Sequence, residues 1–104
     1  MDFKEYQNQA RKSAIYPKNY KVFYPALALS GEVGELNNMI QKVIRDNVKL
    51  NKKDAAKELG DILWYVSALA SDIGLKLDDV AIDNIAKLKD RKKRNKISGN
   101  GNYR

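Results

Sequence analysis

The chain contains two prolines, Pro17 and Pro25, and both precede its long apolar pattern. Because proline interrupts helices, the proline-free stretch that follows favours long helices joined by short loops. Apolar residues there recur every three or four positions, as in the run Leu29, Val33, Leu36, Ile40 and Val43. This spacing is typical of an amphipathic α-helix, and the sequence contains neither the alternation expected of strands nor an internal repeat. We therefore expect an all-α fold, most simply a four-helix bundle.

Residues that favour helix ends mark the expected boundaries. They are Asp2 with Glu5 as a capping box, Pro25 in a first turn, Asp54 as a cap, Gly74 as a stop, and Asp78 or Asp79 as an opening residue. The helices are thus predicted at about residues 2–13, 25–45, 54–73 and 78–94, with an aromatic-rich loop over 14–24. We expect one helical domain over residues 1–94 and a basic Gly/Asn-rich tail over 95–104.

The 104 residues, of which 43% are apolar, suffice for one small core. The absence of cysteine and histidine excludes disulfides, thiolate nucleophiles, zinc-thiolate and iron–sulfur sites, and imidazole-based catalysis. A hydrolase of this composition works with carboxylates, lysines, arginines, tyrosines and water. No apolar run is long enough to span a membrane, and the N-terminus lacks the pattern of a signal peptide, so the expected location is the cytoplasm.

The formal net charge of +7 comes from the C-terminal end. Residues 1–86 carry 12 basic and 12 acidic side chains, whereas the last 18 residues carry eight basic side chains and one acid. A cationic end attracts phosphate groups or an acidic surface. One alternative is therefore a non-catalytic helical module that binds RNA or DNA through this end. Against it, Tyr103 is the one aromatic residue there for base stacking.

Two pairs of acids stand on the two central predicted helices: Glu32 with Glu35, and Glu58 with Asp61. The i, i+3 spacing puts both members of a pair on one face, so two facing helices would gather four carboxylates. Such a cluster repels itself and needs cations, and oxygen ligands suit Mg²⁺, with Mn²⁺ as a substitute. Acidic pairs that merely face solvent are the alternative. A ferritin-type di-iron site is excluded because it needs histidine, and no Walker A sequence occurs.

The segments YPALALSGEVGEL (residues 24–36) and KELGDILWY (residues 57–65) resemble the MazG-like branch of the all-α nucleoside triphosphate pyrophosphohydrolases. The signature of that superfamily is Glu-x-x-Glu followed by Glu-x-x-Asp, and the resemblance extends over nearly the whole chain. It implies a four-helix MazG-like bundle completed by dimerisation, as a homodimer or homotetramer. It also implies Mg²⁺-dependent hydrolysis of an NTP or dNTP between the α and β phosphates to a monophosphate and pyrophosphate, in nucleotide housecleaning or pool control.

The resemblance further implies roles for individual residues. The metal ligands and catalytic residues would be Glu32, Glu35, Glu58 and Asp61, and Glu35 is our choice of proton acceptor. The residues implied to bind the substrate are Tyr65, Asn84, Lys87, Arg91 and Arg94. Tyr65 would stack on the base, whereas Trp64 is expected nearer the core.

Overall fold

A computed structural model of the protein describes residues 1–94. These residues form four α-helices and no strand, which confirms the all-α prediction. The helices are α1 (Phe3–Arg11), α2 (Phe23–Asp46), α3 (Lys52–Asp72) and α4 (Leu77–Lys93), and a 3₁₀ turn, Lys18–Tyr20, lies between α1 and α2. α2 and α3 pack as a hairpin, and α1 and α4 pack on α3 and on each other. Within residues 1–94 no helix is both long and apolar enough to cross a bilayer. The predicted tail, residues 95–104, lies outside the described residues.

Two asparagines close the α2–α3 hairpin. Asn47 ends α2 in the left-handed conformation, with φ 52°. The Asn51 side chain begins α3 by accepting hydrogen bonds from the N–H groups of Lys53 (3.0 Å) and Asp54 (3.2 Å). The prediction that Asp54 caps α3 is wrong, because Asn51 supplies the cap earlier in the chain. Asp54 instead stands in the first turn, where its charge interacts favourably with the positive end of the helix dipole.

The starts of α1 and α2 follow their local sequence signals. The Asp2 carboxylate accepts a hydrogen bond of 2.8 Å from the Glu5 N–H, which confirms the predicted cap of α1. Pro25 is buried in the first turn of α2, as predicted, although that helix already begins at Phe23. The missing N–H of proline costs nothing at this position, because first-turn N–H groups have no partner within the helix.

Gly74 ends α3, as predicted, and adopts a left-handed conformation with φ 78°. The Leu75 N–H donates to the Ala70 carbonyl (2.8 Å), and the Gly74 N–H donates to the Ser71 carbonyl (3.1 Å). This pair of hydrogen bonds is the Schellman motif that commonly follows a helix at glycine.

The start of α4 is fixed by Gln7 of α1. The Gln7 Oε1 atom accepts a hydrogen bond of 2.8 Å from the Leu77 N–H, and its Nε2 atom donates to the Leu75 carbonyl at 2.9 Å. The side-chain amide of Gln7 therefore provides hydrogen-bond partners for one backbone carbonyl and one backbone N–H of the α3–α4 turn. The prediction that Asp78 or Asp79 opens α4 is wrong, because the helix begins at Leu77 and its first N–H is capped from another helix.

The carboxylate of Asp72 joins three segments of the chain at the end of α3. It is fully buried; its Oδ1 atom lies 2.8 Å from Arg11 Nη1, and its Oδ2 atom accepts hydrogen bonds from the Tyr16 hydroxyl (2.7 Å) and the Val22 N–H (2.9 Å). Burial raises the pKa of Asp72, but the hydrogen bonds from Val22, Tyr16 and Arg11 outweigh it, so the pKa is lowered. Val22 has φ 72°, a strained conformation for a β-branched residue, and the bond to Asp72 helps to hold it.

The apolar surface of the described chain is only partly covered. The buried apolar side chains are few and mostly small: Ala10, Ala68, Ala70 and Leu77, together with Pro25. On α2, Leu27 and Ile44 are 76% and 78% exposed. The apolar stripe of α4 is also exposed throughout, and consists of Val80, Ile82, Ile85 and Leu88. The Cα radius of gyration is 16.6 Å, whereas a compact domain of about 100 residues has one of about 13 Å.

We predict that Asp72→Asn lowers the free energy of unfolding by about 2 kcal/mol at pH 7. A fully buried pair costs about 3–5 kcal/mol to break, and Arg11 is partly exposed, which reduces the effect. Because the pKa of Asp72 is lowered by folding, its charge stabilises the protein above the ordinary aspartate pKa of about 3.9, and this contribution is lost as the pH falls through the folded value. The difference between the wild type and Asp72→Asn should therefore shrink below about pH 4.

Urea unfolding at pH 7, 4 and 3, at one protein concentration, measures this difference. Asp83→Asn is the matched control, because Asp83 is an exposed acid in the middle of α4. It should leave the free energy of unfolding within about 0.5 kcal/mol of the wild type. A difference between wild type and Asp72→Asn that stays constant from pH 7 to pH 3 would contradict the prediction.

Candidate functional site

Three carboxylates meet where α2 faces α3. Glu32 on α2 and Glu58 and Asp61 on α3 each offer one oxygen, and these oxygens all lie within 4.8 Å of one another. Glu58 and Asp61 are three residues apart and so point from one face of α3. The hairpin brings that face to Glu32. The structure thus gathers three of the four acids that the sequence selected as ligands.

The fourth acid, Glu35, lies beside this group. Its side chain is exposed, and its carboxylate is close enough to act on Glu58. Partial burial raises the pKa of Glu58, and the negative charges of Glu35 and then Glu32 raise it further. Because these carboxylates repel one another, binding of a cation in this region would be favourable, whereas a further negative charge would be unfavourable.

Two carboxylate oxygens in the cluster have no partner within residues 1–94. Glu32 Oε2 and Glu58 Oε2 are both buried and accept no hydrogen bond there. A buried polar atom without a partner is costly, and the cost is larger for a charged group. Clustered carboxylates fit hard divalent ions such as Mg²⁺ or Mn²⁺, and the chain supplies no histidine or cysteine for softer ones. The residues present therefore fit a hard divalent cation.

A cavity of about 430 Å³ adjoins the carboxylates. It is lined by Ser13, Glu32, Asp61, Trp64 and Tyr65. Burial raises the pKa of Tyr65, and the neighbouring Tyr24, Glu32 and Asp61 raise it further, so the Tyr65 hydroxyl stands near the acids. The structure places Tyr65 beside the cluster, in the region where the sequence analysis expected it.

The four residues selected on α4 are not brought to this cavity within the described part of the chain. Asn84 and Lys87 are exposed on α4, and Arg91 is buried. Arg94 forms an ion pair with Asp90, with 2.6 Å between Nη2 and Oδ2. The cavity beside the acids includes none of these side chains in its lining. Their roles toward a substrate stay predictions.

Sequence reasoning missed the contribution of α1 and of Trp64 to the site. Trp64 lines the cavity, contrary to the expectation that it lies nearer the core, and its indole N–H donates to Ser13 Oγ at 3.0 Å. Tyr6 of α1 also stands near Asp61. Burial raises the pKa of Tyr6, and the negative charge of Asp61 raises it further. No local pattern marks Tyr6 or Ser13. Their place follows only from the packing of α1 on α3.

Comparison with known proteins identifies the family of the chain. The family model of the MazG nucleotide pyrophosphohydrolase domain matches residues 25–95, a range that contains all four acids. The chain is also 37% identical to the Gene 37 protein of Mycobacterium phage L5 over a 109-residue alignment, which covers 95% of this chain and 96% of that protein. No solved structure matches the chain. The family model covers well over half of the chain, so the protein belongs to the MazG nucleotide pyrophosphohydrolase family.

Proposed function

We propose that the protein is a Mg²⁺-dependent nucleoside triphosphate pyrophosphohydrolase. It would cleave an NTP or dNTP between the α and β phosphates and release a monophosphate and pyrophosphate, in nucleotide housecleaning or pool control. The observation that carries the proposal is the group of three carboxylate oxygens within 4.8 Å, in a chain of the MazG family. The unpartnered buried oxygens of Glu32 and Glu58 support it, because a bound cation would give them a partner.

The acids divide into two roles in this proposal. Glu32, Glu58 and Asp61 would hold the cation, which supplies positive charge against the triphosphate and the leaving pyrophosphate. Glu35 lies outside the three-oxygen group and beside Glu58. In this proposal its carboxylate would accept a proton from the attacking water. Trp64 and Tyr65 form the wall of the cavity next to the acids and restrict the access of other water there.

The exposed apolar stripes support a homodimer or homotetramer. The α4 stripe (Val80, Ile82, Ile85 and Leu88) is 38–64% exposed, and covering it with a second copy would remove that surface from water. Each such side chain contributes about 1.5–3 kcal/mol when it passes from full exposure to full burial, so partial coverage of four of them is substantial. Self-association through the same surface on both copies is the commonest arrangement of soluble oligomers.

The first prediction concerns the reaction. With Mg²⁺, wild-type protein should convert nucleoside triphosphates to monophosphates and pyrophosphate, resolved by anion-exchange chromatography. Glu58→Gln removes the negative charge of a proposed metal ligand and should lower kcat/KM more than about 100-fold. Loss of a residue that only hydrogen-bonds a metal ligand lowers activity by about 10–100-fold, and loss of a ligand itself should cost more. Asp83→Asn, which alters an exposed acid on α4, should retain activity.

Two outcomes of this experiment would contradict the proposal. Release of diphosphate and orthophosphate would show cleavage between the β and γ phosphates. Absence of turnover on every triphosphate, combined with salt-sensitive binding of RNA or DNA, would support the nucleic-acid-binding alternative.

A second prediction concerns the cation without catalysis. In the absence of divalent ions, Glu58→Gln should raise the melting temperature, because it removes one of several repelling carboxylates. Mg²⁺ should raise the melting temperature of the wild type, since an ion at 100 times its Kd stabilises the folded state by about 2.7 kcal/mol. The Mg²⁺-dependent rise should be much smaller in Glu58→Gln and unchanged in Asp83→Asn. Equal rises in all three proteins would argue against the carboxylate cluster as the binding site.

A third prediction concerns assembly. Size-exclusion chromatography with light scattering should give at least twice the 11.8 kDa mass of one chain. Ile82→Asp puts a charge in the middle of the exposed α4 stripe and should shift the protein toward the mass of one chain. Asp83→Asn, one position further along the same helix, should keep the oligomer. A wild-type mass of 11.8 kDa would exclude this mode of association.

A further inference from the structure

The face of α4 that points away from the other helices carries a short stripe of four residues, the outer stripe. It consists of Asp78, Ile82, Ile85 and Lys89. Intervals of four, three and four residues put these side chains on one face of a helix. Ile82 and Ile85 are 64% and 51% exposed, whereas the buried Arg91 lies on the opposite side of α4. Residues 1–94 therefore leave the two isoleucines largely uncovered.

A shallow groove of about 400 Å³ follows the outer stripe. It is lined by Ala81, Ile82, Ile85, Ala86 and Lys89. The small side chains of the two alanines leave space on either side of the isoleucines. Apolar side chains of a second helix can insert into such spaces, as knobs insert into holes in a coiled coil. The groove therefore fits a helix that presents apolar side chains.

The two ends of the outer stripe carry opposite charges. Asp78, at its start, is half-buried, and Lys89, at its other end, is exposed. Neither forms an ion pair within residues 1–94, although Lys4 and Lys76 line the same cavity as Asp78. The first turn of α4 is acidic and its last turn is basic. The charge of the outer stripe thus follows the charge of the whole helix.

A second copy of the chain matches this pattern when its α4 runs in the opposite direction. Asp78 then lies beside Lys89 of the partner subunit, and Ile82 lies beside Ile85 of the partner subunit, so that each contact occurs twice. In a parallel arrangement Asp78 would face Asp78 of the partner subunit, and the two copies of Lys89 would face each other. Like charges that face each other across an interface cost free energy. The charges of the outer stripe therefore favour the antiparallel direction.

We propose that two copies of the protein associate through an antiparallel pair of α4 helices. Ile82 packs on Ile85 of the partner subunit, and Asp78 forms an ion pair with Lys89 of the partner subunit at each end of the contact. The proposal rests on the self-association included in the proposed function, and it adds the direction and the register of the contact. Asn84 and Lys87 lie on the opposite side of α4, so this contact leaves them uncovered.

Cysteine cross-linking tests the direction, because the chain contains no cysteine. Asp78→Cys and Lys89→Cys are prepared separately and treated with a short bismaleimide, each alone and as an equimolar mixture. The mixture should give dimers with one copy of each variant, identified by mass spectrometry, and such dimers keep one of the two ion pairs. Each variant alone should give few, because the two copies of its cysteine lie about 16 Å apart along the helix axes.

Asn84→Cys is the control for this cross-linking. Residue 84 is close to the two-fold axis of the proposed pair, but it lies on the opposite side of α4. Its two copies should therefore not be cross-linked to each other.

Charge reversal tests the ion pairs, with dissociation constants from sedimentation equilibrium. Asp78→Lys and Lys89→Asp should each weaken self-association about tenfold or more, because each puts like charges together at both ends of the contact. An equimolar mixture of the two variants should restore it, since every end then joins a lysine to an aspartate. Asp79→Lys makes the same charge change in the same turn of α4, outside the outer stripe, and should associate like the wild type.

Salt distinguishes this contact from a purely apolar one. Raising NaCl from about 0.1 to about 1 M shortens the Debye length from about 10 to about 3 Å. Screening of two surface ion pairs should weaken self-association by about 2–30-fold. The double variant Asp78→Asn/Lys89→Gln should show little of this salt dependence.

The outcomes separate this contact from the reaction. Cross-linking of each cysteine variant with itself, but not in the mixture, would show a parallel pair and overturn the proposal. Self-association without a cross-link at these positions, or a wild type with the mass of one chain, would also overturn it. Turnover of triphosphates by the same protein would then leave the proposed reaction standing. Cross-linking in the mixture, with no turnover by the wild type, would support the contact and reject the reaction.

Discussion

The carboxylate of Asp72 fixes the register of α2 against α3. It binds the Val22 N–H at the start of α2 from the end of α3, while a short loop closes the opposite end of the hairpin. Glu32 lies ten residues after Val22, and Asp61 lies eleven residues before Asp72. At 1.5 Å per helical residue, both acids stand about 15–17 Å from the common anchor, on antiparallel helices. The same contact that holds the fold therefore brings the acids together.

The sequence predicted those elements whose signals are local. The Asp2 cap and the Gly74 stop each act within one turn of their own helix, and both were predicted correctly. The start of α4 was misplaced because its cap, Gln7, is 70 residues away in the chain. Asn51 was missed for a different reason: it competes with Asp54, and both residue types cap helices well. Short-range sequence patterns identify candidate cap residues, but the tertiary contacts that decide which candidate caps a helix are not part of such patterns.

As with the helix ends, the sequence predicted those features of the site that depend on local spacing, and it did not predict those that depend on packing between helices. The i, i+3 spacing selected all four acids, and packing separated them into a group of three and a neighbour, Glu35. Spacing on one helix says nothing about how far each residue stands from the facing helix, so this division could not be foreseen. Trp64 was expected nearer the core because its neighbours are apolar, yet its indole N–H donates to Ser13, two residues after α1, and its side chain lines the cavity. The roles of the four residues chosen on α4 depended on resemblance, and none of the four lines the cavity beside the acids.

The sparse core and the repelling acids make the stability of the hairpin conditional. The buried apolar side chains are mostly alanines, and many larger apolar side chains are only half-buried or exposed. A cation between the helices and a second copy over the exposed stripes would each favour the same closed hairpin. When two binding partners, here a cation and a second copy, favour the same conformation, each increases the affinity of the protein for the other. The coupling free energy is the same in both directions. In the proposed enzyme, metal binding and assembly would therefore be linked, and loss of either would weaken the other without any direct contact between the two sites.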